Sequence, residues 1–217
     1  ERIFENIWIQ PAAGDAGGAV GAAYAVWHQY LGNERHADGV SDAMQGAYLG
    51  PAFRDEEIEK FLHERSIPFK RLTSWELPGH VSGLLKAENV VGWFQGRMEF
   101  GPRALGNRSI LGDARLAKMQ SVMNLKIKFR ESFRPFAPIV LAERATDYFD
   151  ITSPSPYMLL VADVKQYRRK EPTISQQNLF GIERLHVPRS DIPAVTHIDY
   201  SARVQTVHKE TNLLFHA

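Results

Sequence analysis

The sequence predicts an α/β or α+β protein, and three observations support this class. Short apolar runs typical of strands alternate along the chain with helical patterns, as expected for helices that pack on a sheet. Turns rich in Gly and Pro separate these segments, and the sequence contains no internal repeat. With 217 residues, of which 44% are apolar and 24% charged, the chain is long enough for one large globular domain or two small ones.

The first half of the chain begins with a strand-like apolar run that ends near Gln10. A Gly-rich loop then leads into a helix of small residues, and Gly32 follows the last helical turn as its cap. A later segment has an acidic first turn and apolar residues on one face, which is typical of an amphipathic helix. The elements predicted here are a strand to residue 10, a loop at 11–18, helices at 19–31, 55–65 and 80–86, and a buried strand at 89–94.

The second half alternates one long helix with several strands. Apolar residues recur at spacings of three and four from Leu116 to Ile127, and Pro135 prevents the helix from continuing into the apolar run that follows. The elements predicted here are a helix at 114–129 and strands at 139–143, 157–164, 195–198 and 203–207. We interpret one polar connection as a solvated loop on account of its basic cluster, Arg168, Arg169 and Lys170.

Composition excludes several classes of function. The 26 Lys and Arg nearly balance the 25 Asp and Glu, so the net charge of +1 does not favour nucleic acid or an anionic membrane as a partner. The absence of cysteine excludes a disulfide framework, a thiolate metal site and a Cys nucleophile, and it fits a reducing compartment. Since no apolar run approaches the roughly 20 residues of a membrane span, we expect a cytoplasmic protein.

Both ends predict a piece of a longer protein. The chain starts without Met at Glu1, a few residues before the strand-like run, and it closes on the apolar helical pattern "NLLFHA" without a capping Gly or Pro.

The run "PAAGDAGGAVGAA" has the order of strand, Gly-rich turn and helix that binds phosphates or nucleotides. Gly17 and Gly18 would let the backbone approach a ligand at the positive helix end. The small residues of this run have a second explanation, because they would equally let two helices pack closely. Asp15 likewise has the ordinary explanation of a helix cap or turn residue.

Arginines concentrate in two runs, "QGRMEFGPRALGNRSIL" and "NLKIKFRESFRPFAPIVL". The first run is too broken by Gly and Pro to be a helix, so no helix propensity explains its Arg97, Arg103 and Arg108. Between residues 107 and 129 the only acid is Asp113, and the guanidinium fork suits phosphate or carboxylate. The pattern predicts an anion site, against the alternative of scattered surface arginines. For Arg97 and Arg108, bracing of the loop through backbone carbonyls, Glu99 or Asp113 stays equally open.

Together with "AYLGP" and "SARVQTV", these runs resemble the O-carbamoyltransferases of the nodulation and antibiotic-tailoring type. The five motifs occur in the family's order and span most of the chain. The resemblance implies a YrdC-like twisted sheet with helices, preceded by the end of a Kae1-like domain of the actin-like ATPase superfamily. It assigns residues 1–35 to the Kae1-like piece, 36–74 to a connecting region and 75–217 to the YrdC-like domain, truncated at its end.

The resemblance further implies an activity. The YrdC-like part would form carbamoyl-adenylate from carbamoyl phosphate and ATP, and the Kae1-like part would transfer the carbamoyl group to a hydroxyl of a sugar or antibiotic-like acceptor. A homodimer is compatible with it. The residues whose motif positions resemble carbamoyl phosphate ligands are Arg103, Lys128, Arg134 and Arg203. ATP or the adenylate would be held by Arg130, Gly17 and Gly18, and Asp15 would be a ligand of a divalent metal, Fe or Mg.

Two departures from the family limit this assignment. No two of the eight histidines lie one helical turn apart, although the family has such a metal-binding pair, and the Asn-Thr-Ser-x-Asn segment that completes the carbamoyl phosphate pocket does not occur in this sequence. We expect both in other parts of the protein. Two other readings stay open, an RNA-binding YrdC-like module and a non-catalytic nucleotide-binding fragment.

Overall fold

The computed structural model describes residue 3 and residues 8–217, and it shows an α+β chain with short helices and two small sheets. The strands are β1 (Val91–Phe94), β2 (Arg108–Leu111), β3 (Ile139–Leu141), β4 (Leu160–Asp163) and β5 (Ser201–Val207). The helices are α1 (Asp15–Tyr24), α2 (Asp55–Glu64), α3 (Glu76–Lys86), α4 (Met119–Val122), α5 (Ile174–Gln177) and α6 (Leu213–His216). Single π-helical turns extend α1 and α4, at Ala25–Tyr30 and Met123–Ile127. Short 3-10 helices lie at Gln45–Ala47, Ala142–Asp147, Gln166–Arg168, Gly181–His186 and Pro193–Val195.

The two sheets differ in how their strands pair. β1 and β2 form an antiparallel pair, whereas β5 is the central strand of the order β3-β5-β4, parallel to β3 and antiparallel to β4. Successive side chains of a strand point to opposite sides, so β5 has two distinct faces. The even face carries Ala202, Val204 and Thr206. The odd face carries Ser201, Arg203, Gln205 and Val207.

The main apolar core lies on the even face of β5. Ala202 and Val204 are both 0% exposed, and they pack in one cluster with Phe149 and Val164. Full burial of a side chain such as valine contributes about 1.5–3 kcal/mol relative to leaving it exposed. This cluster therefore decides which way β5 faces, and it turns the odd face toward a different part of the chain.

The odd face is covered in part by the arginine loop, which we define as residues 95–107. The side-chain amide of Gln205 donates to the carbonyl oxygen of Leu105 at 2.8 Å. Leu105 belongs to a second buried cluster, whose members are Met44, Ala47, Leu105, Tyr157 and Met158. Part of the predicted connecting region 36–74 thus packs with the region beyond residue 75, while the proposed domain boundaries themselves stay predictions.

Two of the predicted helices are present but begin four residues earlier in the chain than predicted. The helix predicted at 19–31 begins at Asp15, because the chain already turns helically where the N–H of Gly18 donates to the carbonyl of Gly14 at 2.9 Å. Its predicted end is correct, and Gly32 has a φ of +70°. The helix predicted at 80–86 begins at Glu76, whose carboxylate accepts the backbone N–H of Thr73 at 2.9 Å.

The helix predicted at 55–65 is confirmed as α2, whereas the one predicted at 114–129 is shorter and runs only from Met119 to Ile127. Its expected start is a turn, in which the side chain of Asp113 accepts the backbone N–H of Arg115 at 2.9 Å. This local hydrogen bond competes with helix formation.

Three of the predicted strands are confirmed within a few residues, as β3, β4 and β5. The strand predicted at 89–94 is present as β1, but its side chains alternate between partly buried and exposed, so the prediction of a buried strand was wrong. The strand predicted at 195–198 was also wrong, since Pro193–Val195 forms a 3-10 turn there. The strand predicted to end at residue 10 is absent over residues 8–10, and its earlier part lies outside the described residues. β2 was not predicted.

The basic cluster at 168–170 is solvated only at Lys170, so the prediction of a solvated loop was wrong for Arg168 and Arg169. Arg168 pairs with Asp191, lies 3.9 Å above the ring of Tyr148, and its side chain is only 20% exposed. Arg169 donates to the carbonyl of Val164 at 2.7 Å. Composition alone identified the charges, but the partners come from distant segments and could not be read from the local sequence.

Across residue 3 and residues 8–217, we find no helix with the length and apolar character needed to cross a membrane.

Candidate anion-binding site

The arginine loop is shaped by one buried carboxylate. Glu99 is 6% exposed, and its Oε1 accepts three backbone N–H groups of the same loop region. The donors are Leu105 at 2.8 Å, Asn107 at 2.8 Å and Arg108 at 3.0 Å. A single side chain therefore fixes the second half of the loop, and this is why a segment without regular structure holds a defined shape.

A network of neutral polar groups supports the loop from behind. Asn212 is 8% exposed, and its amide donates to the side-chain oxygen of Asn107 at 2.8 Å and to the hydroxyl of Tyr48 at 3.1 Å. That hydroxyl donates in turn to the carbonyl of Leu105 at 2.8 Å. Gly106 has a φ of +110°, and a Cβ there would lie 2.4 Å from the ring of Phe215. Only glycine fits this position.

Arg97 and Arg108 brace the loop through backbone carbonyls, one of the alternatives that the sequence left open. Arg108 donates to the carbonyl of Gln95 at 2.6 Å and lies 3.5 Å above the ring of Phe94, its partner across β1 and β2. Arg97 donates to the carbonyl of Leu49 at 3.3 Å. The acid Glu99 accepts the backbone of Arg108 rather than its guanidinium.

Arg103 and Arg203 have a different environment. Arg203 lies on the odd face of β5 and is partly buried, and burial lowers its pKa; the positive charge of the exposed Arg103 lowers that pKa further. Among the described residues, neither guanidinium has a hydrogen bond or an ion pair with an acid. Two cations that repel one another without a compensating acid form a site that favours an anion.

The anchoring of the loop brings the segment of Arg103 next to β5. Gln205 shares the odd face of β5 with Arg203, because residues two apart on a strand point to the same side. Gln205 donates to the carbonyl of Leu105, which lies two residues after Arg103 in the arginine loop. The strand and the loop therefore place the two arginines in neighbouring segments, although 100 residues separate them along the chain.

The remaining predicted cations lie on the second basic loop, residues 128–138, which leads into β3 beside β5. Arg130 donates to the side-chain oxygen of Asn124 at 2.6 Å and lies 4.9 Å from the ring centre of Phe136. Arg134 lies 3.7 Å from the carboxylate of Glu131, with both side chains more than half exposed. Lys128 is exposed. No described contact joins these three residues to Arg103 or Arg203.

Two other cations of this region are neutralised by acids. Arg115 forms an ion pair with Asp113 at 2.5 Å, and Lys118 forms one with Glu88, which lies outside the sequence window that suggested unbalanced charge. Fewer cations of this region therefore lack an acidic partner than the sequence indicated.

The backbone of the turn that precedes α1 explains why glycines occur there. The N–H of Gly17 donates to the carbonyl of Ala12 at 2.7 Å, and a Cβ on Gly17 would lie 2.5 Å from that oxygen. Gly18 also uses its N–H within the chain, and Asp15 is exposed at the first position of α1. The turn nonetheless contacts the arginine loop, since a Cβ on Gly101 would lie 2.4 Å from the Cβ of Ala12.

A metal is implied by the resemblance, and the donors present fit it poorly. Within the part of the chain that the structure describes, no three His, Asp or Glu side chains form a group that could hold an ion. Asp15 would supply a single ligand. We therefore derive no step through a metal.

An apolar cavity lies outside this site. It measures about 650 Å³ and is lined mainly by apolar side chains, among them Leu111, Phe136 and Val140, and neither Arg103 nor Arg203 lines it.

Sequence reasoning missed two residues that shape the site. Glu99 was noted only as a possible partner for an arginine side chain, and His197, near Arg203, was not singled out. A lone Glu between glycine-rich turns was the available signal for the first, because a buried carboxylate is a natural acceptor for loop N–H groups.

The comparisons with known proteins agree with one another. Residues 82–217 match the family described as Carbamoyltransferase C-terminus. The chain is 63% identical over 214 residues to the uncharacterized protein sll1178 of Synechocystis sp., which covers 98% of this chain and 35% of that protein. It is 37% identical over 213 residues to nodulation protein NolO of Bradyrhizobium diazoefficiens, covering 97% and 34%. Nodulation protein U of Rhizobium fredii is 32% identical over 209 residues, covering 96% and 30%.

The chain thus spans about a third of the length of these relatives. The resemblance that the motifs suggested is confirmed at the level of the family, with a match that includes Arg103, Lys128, Arg134 and Arg203. The chain belongs to the carbamoyltransferase C-terminus family.

Proposed function

We propose that this chain carries the carbamoyl phosphate site of an O-carbamoyltransferase, with Arg103 and Arg203 at its centre. The observation that carries the proposal is the packing of the arginine loop on β5: Gln205, on the same face as Arg203, donates to Leu105 of the loop that carries Arg103. Neither arginine has an acidic partner in the described part of the chain, and the charge of Arg103 lowers the pKa of Arg203. The charges belong to two of the four positions whose motifs resemble carbamoyl phosphate ligands. Lys128 and Arg134 complete the proposed set from the second basic loop.

The chemistry of carbamoyl phosphate suits this arrangement. The compound is a small dianion with a labile mixed anhydride, and guanidinium forks bind phosphate oxygens in a bidentate manner. Cations fixed before the reaction stabilise the charge that builds on the departing phosphate, without a covalent nucleophile. The rigid anchoring of the arginine loop by Glu99 supports this role, because it limits the reorganisation needed when the anion binds.

For the intact protein we propose the sequence of steps that the resemblance implies. Carbamoyl phosphate, ATP and one water would give carbamoyl-adenylate, phosphate and pyrophosphate in a YrdC-like domain at 75–217. A Kae1-like domain, of which 1–35 is the end, would transfer the carbamoyl group to a hydroxylated small-molecule acceptor. Arg130, Gly17 and Gly18 would contact ATP or the adenylate, Asp15 would be one ligand of a divalent metal, and the absence of cysteine supports a cytoplasmic location.

Calorimetric titration of the 217-residue chain with carbamoyl phosphate, with ATP and with a short RNA tests the proposal. We expect saturable binding of carbamoyl phosphate, weakened at least about tenfold by Arg103→Ala and by Arg203→Ala, since each removes a charged hydrogen-bond donor. Arg71→Ala is the matched control, because Arg71 is an exposed arginine paired with Glu59 at 2.9 Å.

Equal affinity of wild type and Arg103→Ala for carbamoyl phosphate would contradict the assignment. Tight RNA binding that falls steeply with salt would instead support the RNA-binding alternative. In the intact protein, Arg103→Ala or Lys128→Ala should abolish the release of pyrophosphate from ATP that depends on carbamoyl phosphate.

A further inference from the structure

Unpaired hydrogen-bond acceptors lie beside the proposed anion site. In the described part of the chain, the buried side-chain atoms without a hydrogen-bond partner are Asp191 Oδ1, His197 Nε2 and Gln205 Oε1. Gln205 shares the odd face of β5 with Arg203, and His197 is bonded to Ser201 on the same face. Two of the three atoms thus belong to residues on, or bonded to, the face of β5 that carries Arg203. A buried acceptor without a donor costs free energy, so this concentration at one place needs an explanation.

The hydrogen bonds of His197 determine which ring nitrogen carries the proton. The hydroxyl of Ser201 donates to the carboxylate of Asp199 at 2.7 Å, and its oxygen lies 3.1 Å from Nδ1 of His197. Because the hydroxyl has one proton and gives it to Asp199, Nδ1 must be the donor to the serine oxygen. Nε2 is then unprotonated and presents a lone pair.

The electrostatic surroundings keep this imidazole neutral. Burial lowers the pKa of His197 most; Asp199 opposes this change, and the positive charge of Arg203 lowers the pKa further. The pKa of Asp199 is itself lowered by hydrogen bonds from Ser201, so the carboxylate is ionised and able to accept the hydroxyl proton. His197 therefore serves as an acceptor through Nε2.

Gln205 presents its acceptor for a similar reason. The residue is 1% exposed, and its Nε2 is held by the carbonyl of Leu105 at 2.8 Å. This bond fixes the orientation of the amide, because a carbonyl accepts only from the nitrogen end. Oε1 is consequently directed away from Leu105 and has no donor.

The odd face thus combines two cations with two unfilled acceptors. A ligand that matches both must carry negative charge and N–H donors in a small body. Carbamoyl phosphate has a phosphate at one end and an amide with two N–H groups at the other. We propose that His197 Nε2 and Gln205 Oε1 accept the amide N–H groups of the carbamoyl moiety and so select carbamoyl phosphate against acyl phosphates of the same shape. This inference rests on the proposed function.

The test compares carbamoyl phosphate with acetyl phosphate, in which a methyl group replaces the amide nitrogen. Affinities of the 217-residue chain for both compounds and for inorganic phosphate are measured by calorimetry. We expect the wild type to prefer carbamoyl phosphate by about tenfold or more, because acetyl phosphate leaves both acceptors unfilled. The ratio should fall severalfold in His197→Phe and in Gln205→Met.

Two further variants separate recognition from structural support. His197→Gln keeps an acceptor near the position of Nε2 and should retain most of the preference. His80→Phe, at an exposed histidine, is the matched control and should keep the full ratio. If Gln205→Met does not fold, the comparison of His197→Phe with His197→Gln decides. Long-range ¹⁵N–¹H NMR spectra of the imidazole give a second measurement, and a proton on Nε2 in the free chain would overturn the proposal.

The outcomes distinguish this inference from the function on which it rests. An unchanged ratio in His197→Phe and Gln205→Met, with carbamoyl phosphate still bound through Arg103, overturns the acceptor pair and leaves the proposed function intact. Failure of the wild-type chain to bind any of the three phosphate compounds overturns the proposed function instead.

Discussion

The arginine loop and the second basic loop are each held in shape by one buried polar side chain, but the two side chains have opposite hydrogen-bonding roles. Glu99 holds the first through three backbone N–H groups, whereas the amide of Asn124 holds the second through the carbonyls of Ser132 at 3.1 Å and Arg134 at 2.8 Å. Both anchors are buried, Asn124 completely. One loop is organised by a charged acceptor, the other by a neutral donor.

The difference explains how each loop presents its cations. In the arginine loop the carboxylate satisfies backbone donors and leaves Arg103 without an acid partner. In the second basic loop the side-chain oxygen of Asn124 accepts from Nε of Arg130, so the anchor also fixes the position of that guanidinium. Within the arginine loop region, Arg97 and Arg108 are bonded to backbone carbonyls and support the loop, whereas Arg103 is left available for a ligand.

The largest effect should come from Glu99→Gln. The change removes the charge that accepts three buried N–H groups and adds an amide donor that faces them. We expect a loss of about 3 kcal/mol in the free energy of unfolding, measured by urea denaturation. Glu131→Gln, at an exposed position, is the control and should change stability little. A loss below about 1 kcal/mol would show that the carboxylate does not hold the loop.

A smaller effect is expected for Asn124→Leu. The substitution leaves two buried carbonyls without their donor and releases Arg130, but it removes no charge. We expect a loss of about 2 kcal/mol in the same denaturation measurement. The exposed Asn178→Leu serves as the matched control. If Asn124→Leu proved more damaging than Glu99→Gln, the contrast between the two anchors would be wrong.

The smallest effects should separate the two kinds of arginine. Arg108→Ala loses its carbonyl partners and its contact with Phe94, and should cost about 1–2 kcal/mol of unfolding free energy. Arg103→Ala should change stability by less than about 0.5 kcal/mol, because it removes an exposed side chain that repels Arg203. The reverse order in thermal and urea unfolding would contradict the division into bracing and ligand-binding arginines.

Much of this fold could be predicted from the sequence where the signal is local. The acidic first turn and periodic face of α2, the cap at Gly32 and the apolar run of β5 each depend on neighbouring residues. The strand predicted at 195–198 is absent because Pro193 favours a turn. The strand propensity of Val195 and Ile198 does not take this proline into account.

The site was predictable in its residue types and less so in its partners. Arg103 and Arg203 come from motifs far apart in sequence, and the resemblance alone placed them together. The ion pair of Lys118 with Glu88 and the burial of Arg168 depend on contacts between distant segments, which no local pattern contains. The orientation of His197 depends on a hydroxyl proton shared with Asp199, a feature visible only in three dimensions.

Because the side chains of β5 alternate between two faces, one short segment of the sequence determines both the core and the proposed site. Seven residues encode the core through one set of positions and the proposed ligand face through the other. An insertion or deletion of one codon within this strand would exchange the two sets, turning Arg203 toward Phe149 and the apolar residues toward the proposed anion site. Point substitutions can change either face separately, so this segment tolerates gradual change in sequence but not a change of one residue in its length.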